Sequence, residues 1–130
     1  MIKEIALKTS RRIELVDVTE KVEKAVAESG IKEGLCVVYS PHTTAALVIT
    51  ENADPSVQAD LIAKLSKMIP EHEGYSHAEG NSDAHIKSAV IGNSRTVIVK
   101  GGRLLLGIWE GIMLFEGDGP RQRKLLVFIK

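Results

Sequence analysis

The chain predicts an α+β fold built mostly from antiparallel β-sheets. Three observations carry that prediction. Short apolar, β-branched runs outnumber helical patterns, several neighbouring runs are joined by short polar or glycine turns, and no repeating strand–helix–strand unit occurs. At 130 residues the chain makes one domain, 1–130. A chain of that size buries roughly two thirds of its unfolded surface, enough for a real core.

Taken in order, Ile2 to Leu7 and Arg12 to Val18 alternate as two strands, and the polar turn Thr9-Ser10-Arg11 between them suggests a hairpin. Asp17 or Thr19 then caps a helix with Val22, Ala25 and Val26 on its apolar stripe, and Gly30 ends it. Leu35 to Tyr39 and Ala45 to Thr50 are buried-looking strands around the turn Ser40-Pro41-His42-Thr43-Thr44. Asp54-Pro55 pairs an N-cap with proline at the first helical position, and Val57, Leu61, Leu65, Met68 and Ile69 keep helical spacing until Pro70. Residues 71–83 form a long polar loop, a kind of segment that often carries function. Ala84 to Ile91 reads as a short helix stopped by Gly92, and Thr96 to Val99 as a strand. Gly101-Gly102 suits a tight hairpin turn. Leu104 to Phe115 reads as one long strand bent at Gly107 and Gly111. Gly117-Asp118-Gly119-Pro120 is a turn, and Leu125 to Ile129 the closing strand.

Composition excludes several classes of function. Apolar residues make up 44% of the chain, which argues against disorder. Basic and acidic residues number 17 each, so there is no electrostatic footprint for nucleic acid. Lys3, Glu4 and Lys8 interrupt the apolar N-terminus, unlike a signal peptide, and no apolar run approaches the ~20 residues of a membrane helix. A cytoplasmic protein without membrane or nucleic-acid partners is expected. The one cysteine, Cys36, has no disulfide partner and reads as a buried thiol.

Chemistry-bearing residues concentrate in two places. The stretch from Ser76 to His85 holds two histidines, two acids and an asparagine, and His42 stands in the turn between two strands. Three histidines and a water would make a catalytic zinc site. On one helix His77 and His85 would lie roughly 12 Å apart, at 1.5 Å per residue. Sharing an ion therefore requires His77 on a loop, His85 near the start of a helix, and His42 arriving from its turn. The alternative is solvated or hydrogen-bonded loop histidines. His72 sits between Glu71 and Glu73 and reads as surface. Asn81 and Asp83 suit helix caps, although Asp83 beside a histidine also fixes its tautomer. Glu51 is a candidate base or a solvated acid. Arg121 and Arg123 alternate on an extended segment, so both face one way and suit a phosphate, or else pair with nearby acids. Trp109 suits a core, a subunit contact or stacking on a substrate ring. No phosphate-binding glycine loop and no serine nucleophile elbow is present.

Assembled, these segments resemble the YjbQ-like family, often described as secondary thiamine-phosphate synthase-like proteins. The resemblance rests on Ser40-Pro41-His42-Thr43-Thr44-Ala45-Ala46-Leu47, on Glu51-Asn52-Ala53-Asp54-Pro55 with Asp60, and on His77, Gly80-Asn81 and Ala84-His85-Ile86. It continues through Gly102, Leu104, Leu106-Gly107, Trp109 and Asp118-Gly119-Pro120-Arg121 with Arg123. It implies a YjbQ-like fold with β-sandwich character and two to three helices, and a homotrimer. It also implies a site in which His42, His77 and His85 hold a divalent metal, Zn or Mg. His42, His85, Glu51 and Asp83 are the candidate catalytic residues. Thr44, Asn81, Trp109, Arg121 and Arg123 are the candidates for binding a small phosphorylated substrate. The activity implied is the joining of a pyrimidine-methyl pyrophosphate to a thiazole phosphate, possible here as a side reaction. A zinc-dependent hydrolase of a phosphorylated metabolite and a non-catalytic trimeric ligand-binding module are the alternatives. One departure stands out: Glu110 follows Trp109 where the family commonly has glutamine.

Overall fold

The computed structural model describes residues 1–130. In chain order the elements are β1 (Ile2–Lys8), β2 (Glu14–Asp17), α1 (Thr19–Ser29), β3 (Glu33–Tyr39), β4 (Ala45–Glu51) and α2 (Pro55–Met68). They continue with α3 (Ser82–Ile91), β5 (Ser94–Lys100), β6 (Arg103–Leu104), β7 (Glu110–Glu116) and β8 (Gln122–Ile129). A five-stranded sheet runs β1-β8-β3-β5-β6 and a three-stranded sheet runs β2-β7-β4. Every pairing is antiparallel. The α+β class with mostly antiparallel sheets is therefore what the chain adopts.

Alternation explains how the two sheets meet. Leu7, Cys36, Val38, Val97, Val99, Leu125, Val127 and Ile129 all point inward from the large sheet. They pack against Ala45, Leu47, Ile112 and Leu114 of the small one, and α1 inserts Val22, Ala25 and Val26 into the same core. β7 is buried on both faces, because Met113 and Phe115 are covered as well, and α3 packs on β4. That places the start of α3 beside the β3–β4 turn.

Two expectations are corrected. β1 and β2 do not form a hairpin. β1 pairs along its whole length with β8, and β2 with β7, so the chain changes sheet at Thr9 to Ile13. The apolar alternation of both strands is satisfied in either arrangement, so local pattern could not choose between them. The segment 104–115 is likewise not one bent strand. Arg103–Leu104 ends the large sheet and Glu110–Glu116 begins in the small one. The crossover turn is closed by Glu110, whose amide donates to Gly107 O (3.0 Å) and whose carboxylate accepts from Gly107 N–H (2.7 Å).

Local signals behave as read elsewhere. Asp54 accepts from the Ser56 amide at 2.9 Å to cap α2. Asp17 accepts from the Thr19 amide at 2.9 Å and so serves α1 from one residue before its N-cap position. Gly101 and Gly102 both take positive φ, 61° and 76°, as the β5–β6 turn requires. No helix is long and apolar enough to cross a membrane.

Candidate functional site

The β3–β4 turn is self-supporting. Ser40 Oγ donates to Ala45 O (2.9 Å) and accepts from the His42 amide (3.3 Å). The β3–β8 ladder ends at Tyr39 opposite Leu126, and the His42 ring takes the place of the next strand residue. Its Nε2 lies 3.0 Å from the Lys124 amide nitrogen and 3.2 Å from the Lys124 carbonyl oxygen. In one tautomer Nε2 accepts from the amide; in the other it donates to the carbonyl. Burial first, and then the Arg123 charge, hold His42 below the usual imidazole value, so the ring is neutral at pH 7.

Opposite this turn stands α3. Asn81 occupies its N-cap position without a side-chain cap bond; instead its main-chain oxygen accepts from the Ala84 and His85 amides, at 3.0 and 3.3 Å. Asn81 Nδ2 donates to Asp118 Oδ2 at 2.9 Å, tying α3 to the β7–β8 turn. Asp83 is buried and accepts from Arg12 Nη2 (2.9 Å) and Lys87 Nζ (2.7 Å). Burial raises its pKa, but those two cations outweigh it, and the carboxyl titrates below its ordinary value.

His42, Thr44, Asn81, His85, Arg121 and Arg123 line one polar cavity of about 380 Å³, and the Glu79 carboxylate lines it too. His42, Thr43 and His85 also line an adjoining lobe of about 310 Å³ that extends to Ser88, Ala89, Gly92 and Asn93. The two arginines differ sharply. Arg123 is buried and spent on the fold: Nε donates to Glu116 (2.8 Å) and Nη2 to Thr44 Oγ1 (2.8 Å). Glu116 also accepts from Thr9 Oγ1 (2.7 Å) and the Asp118 amide (3.0 Å). Burial raises its pKa, yet these donors, Arg123 foremost, hold it below the ordinary value. Arg121 is 53% exposed and leans on Asp118 through Nε and Nη2, at 2.8 and 2.9 Å, which leaves Nη1 free.

His77 reaches His85 from the loop side. Their rings meet edge to face, with centroids 5.4 Å apart. The three imidazoles thus gather around His85, but no three His, Cys, Asp or Glu side chains are placed to share one ion. As the side chains stand, His42, His77 and His85 are therefore not assembled as the ligand set that the resemblance implies. Two other candidates lie elsewhere. Glu51 is at the far end of β4, roughly 20 Å along the strand from Thr44, where it accepts from the Asp54 amide at 2.9 Å. Trp109 is on the sheet-crossing turn, 60% exposed, and lines neither lobe. Sequence reasoning missed Ser88, Asn93, Arg12, Lys87 and Glu116. Only Ser88 carried a signal, the spacing 81, 85, 88 on one helical face.

The fold recurs in known proteins. The profile of the UPF0047 protein YjbQ-like family matches residues 3–130. The chain belongs to this family. A UPF0047 protein of Methanocaldococcus jannaschii is 53% identical over 95% of this chain and 89% of its own length. YugU of Bacillus subtilis, also a UPF0047 protein, is 48% identical over 95% of this chain and 94% of its own. A crystal structure of an uncharacterised YjbQ/UPF0047 protein from Clostridium acetobutylicum superposes with a TM-score of 0.97 at 48% identity, over 98% of this chain and 99% of that one. One from Sulfolobus solfataricus, described as of unknown function, gives 0.96 at 34% identity over 99% and 95%. Within the UPF0047 pattern, Glu110 has a structural part: its carboxylate oxygen accepts from Gly107 N–H, which a glutamine carbonyl would do equally.

Proposed function

We propose that this UPF0047 protein binds a small phosphorylated metabolite between His42 and His85 and transfers or cleaves its phosphate ester by histidine acid–base catalysis. The observation that carries the reading is the gathering of His42, His85, Thr44, Asn81 and Arg121 around one cavity. His42 has the properties of a proton carrier. It is neutral, its Nε2 is held by main chain that suits either tautomer, and its Nδ1 has no protein partner. With Nε2–H donating to the Lys124 carbonyl, it can take a proton at Nδ1 and return it without moving. Glu116 and Asp118 offset the charges of Arg123 and Arg121. A phosphate would therefore be held by directed hydrogen bonds rather than by a positive field, and binding should be weakly salt-dependent.

Thiamine-phosphate synthesis fits as a side reaction of such a site. The thiazole nitrogen attacks the pyrimidine methylene carbon, the C–O bond breaks, and pyrophosphate leaves with the electron pair. The cavity could hold the pyrophosphate near Arg121, but it offers the pyrimidine no aromatic wall, since Trp109 lies outside it. Incubation of the protein with both phosphorylated precursors and Mg²⁺ should give slow product that His85→Ala abolishes. Product formation unaffected by His85→Ala would refute the assignment.

The edge-to-face contact of His77 with His85 favours a second reading, a zinc-dependent hydrolase. It needs His42 and His77 to turn onto one ion with His85, and elemental analysis of protein purified without chelator tests it. A cytoplasmic chain is part of the same proposal, since phosphorylated metabolites are abundant there. We also propose the homotrimer. The outer face of the large sheet is uncovered and apolar: Ile2 pairs with Phe128, and Leu35 with Ile98, with exposures of 68% for Ile2, 51% for Leu35 and 55% for Ile98. A face of this kind suits two further copies of the same chain.

A further inference from the structure

We infer that the lobe at Ser88 is the subsite for the organic part of the ligand, and that this part is a hydroxylated chain such as a polyol or open sugar. The inference rests on the phosphate reading of the adjoining lobe. In the whole chain, two buried side-chain polar atoms lack a hydrogen-bond partner within the protein: Asn81 Oδ1 and Ser88 Oγ. Both lie on the same face of α3, four residues before His85 and three after it, and each lines one of the two lobes that meet at His42 and His85. Ser88 is 5% exposed. A helical serine ordinarily spends its hydroxyl on the carbonyl four residues back; Ser88 does not. Burying an unpaired hydroxyl costs stability; Ser88 Oγ has under 1 Å² of accessible surface, so a ligand becomes its partner through a χ1 turn of Ser88 toward the lobe that it lines.

Geometry and lining narrow the class. Asn81 to Ser88 spans roughly 10 Å at 1.5 Å per residue, about the length of an extended pentitol phosphate. Asn81 Oδ1 can only accept, so it needs a ligand O–H or N–H close to the phosphate. The Ser88 lobe adds Thr43 and Asn93 and has Ala89 as its single apolar residue. That lining suits hydroxyls and gives an alkyl chain or a flat heteroaromatic ring little to pack on. His85 lies between the phosphate end and the hydroxylated end, where a bond near the phosphate would be worked on.

Titration calorimetry with inorganic phosphate, ribitol phosphate and n-pentyl phosphate tests this on the full chain. Ribitol phosphate should bind about fivefold or more tighter than n-pentyl phosphate, from one or more net hydrogen bonds. Ser88→Ala should erase that advantage while leaving inorganic phosphate unaffected. Because the replaced hydroxyl is unpartnered, Ser88→Ala should melt at the same temperature or higher; a lower Tm would mean that the hydroxyl serves the fold, and would overturn the inference. Equal affinity for the two esters, or a preference that survives Ser88→Ala, would also overturn it while leaving the phosphate reading intact. If inorganic phosphate does not bind, or binds equally to Arg121→Ala, the phosphate reading falls and the subsite with it.

Discussion

At the scale of single residues, burial decides which polar groups serve the fold and which the site. Cys36 is fully buried and its thiol is pushed up to about 11. Ellman's reagent should leave it unmodified in native protein and label it fully in denaturant. Arg123 looked from its spacing like a phosphate ligand, but Glu116 and Thr44 occupy its guanidinium. Glu116→Gln would leave the buried arginine without its countercharge and should cost roughly 3–5 kcal/mol, read as a lowered denaturant midpoint. Asp83 and Glu116 both titrate below their ordinary values when folded. The unfolded chain takes up those protons near pH 4, so their stabilisation is complete above that range. It is lost as pH falls through the lower folded values. Thermal melts should therefore be flat with respect to these two groups from neutral pH to about pH 5 and fall steeply below about pH 4. The candidate site was readable where residue type is unusual for its place, as with His42 in a turn and His77 and His85 in a polar stretch. It was unreadable where function depends on what a side chain lacks. Ser88 is an ordinary serine until its missing partner is seen.

At the scale of elements, caps and turns were readable because they are local. Asp54-Pro55 starts α2, Gly101-Gly102 turns between β5 and β6, and Gly92 stops α3. Strand partners were not readable. β1 and β2 looked like a hairpin because they are adjacent and alternate, yet their partners, β8 and β7, lie about a hundred residues away. Strands joined by short connections belong to different sheets because the chain crosses between them at Thr9 to Ile13, at the β3–β4 turn, at Leu105 to Trp109 and at the β7–β8 turn. The first crossing packs against the β7–β8 turn that carries Asp118 and Arg121. A Cβ at Gly119 would lie 2.2 Å from Arg11 O, a main-chain atom that cannot swing away. Gly119→Ala should cost about 1–3 kcal/mol and, by displacing Arg121, weaken phosphate binding as well. Retained stability with normal binding in that variant would show that the turn has room to relax.

At the scale of the whole molecule, the two sheets and α1 share one core, and α3 and the β3–β4 turn bring their histidines to one cavity beside it. The uncovered face of the large sheet is on the opposite side from that core. Light scattering should give three times the 14.1 kDa chain mass. A charge at Leu35 or Ile98 (Leu35→Lys, Ile98→Asp) should shift that mass toward the monomer without unfolding the chain. The central claim is that His42 and His85 face one phosphate-binding cavity. Its most direct test is imidazole NMR of the labelled histidines during a titration with inorganic phosphate, with the exposed His72 as internal reference. His42 and His85 should shift together and saturably, His72 should stay in place, and Arg121→Ala should abolish the response. Unmoved His42 and His85 signals, or a drift shared equally by all four histidines, would contradict the account.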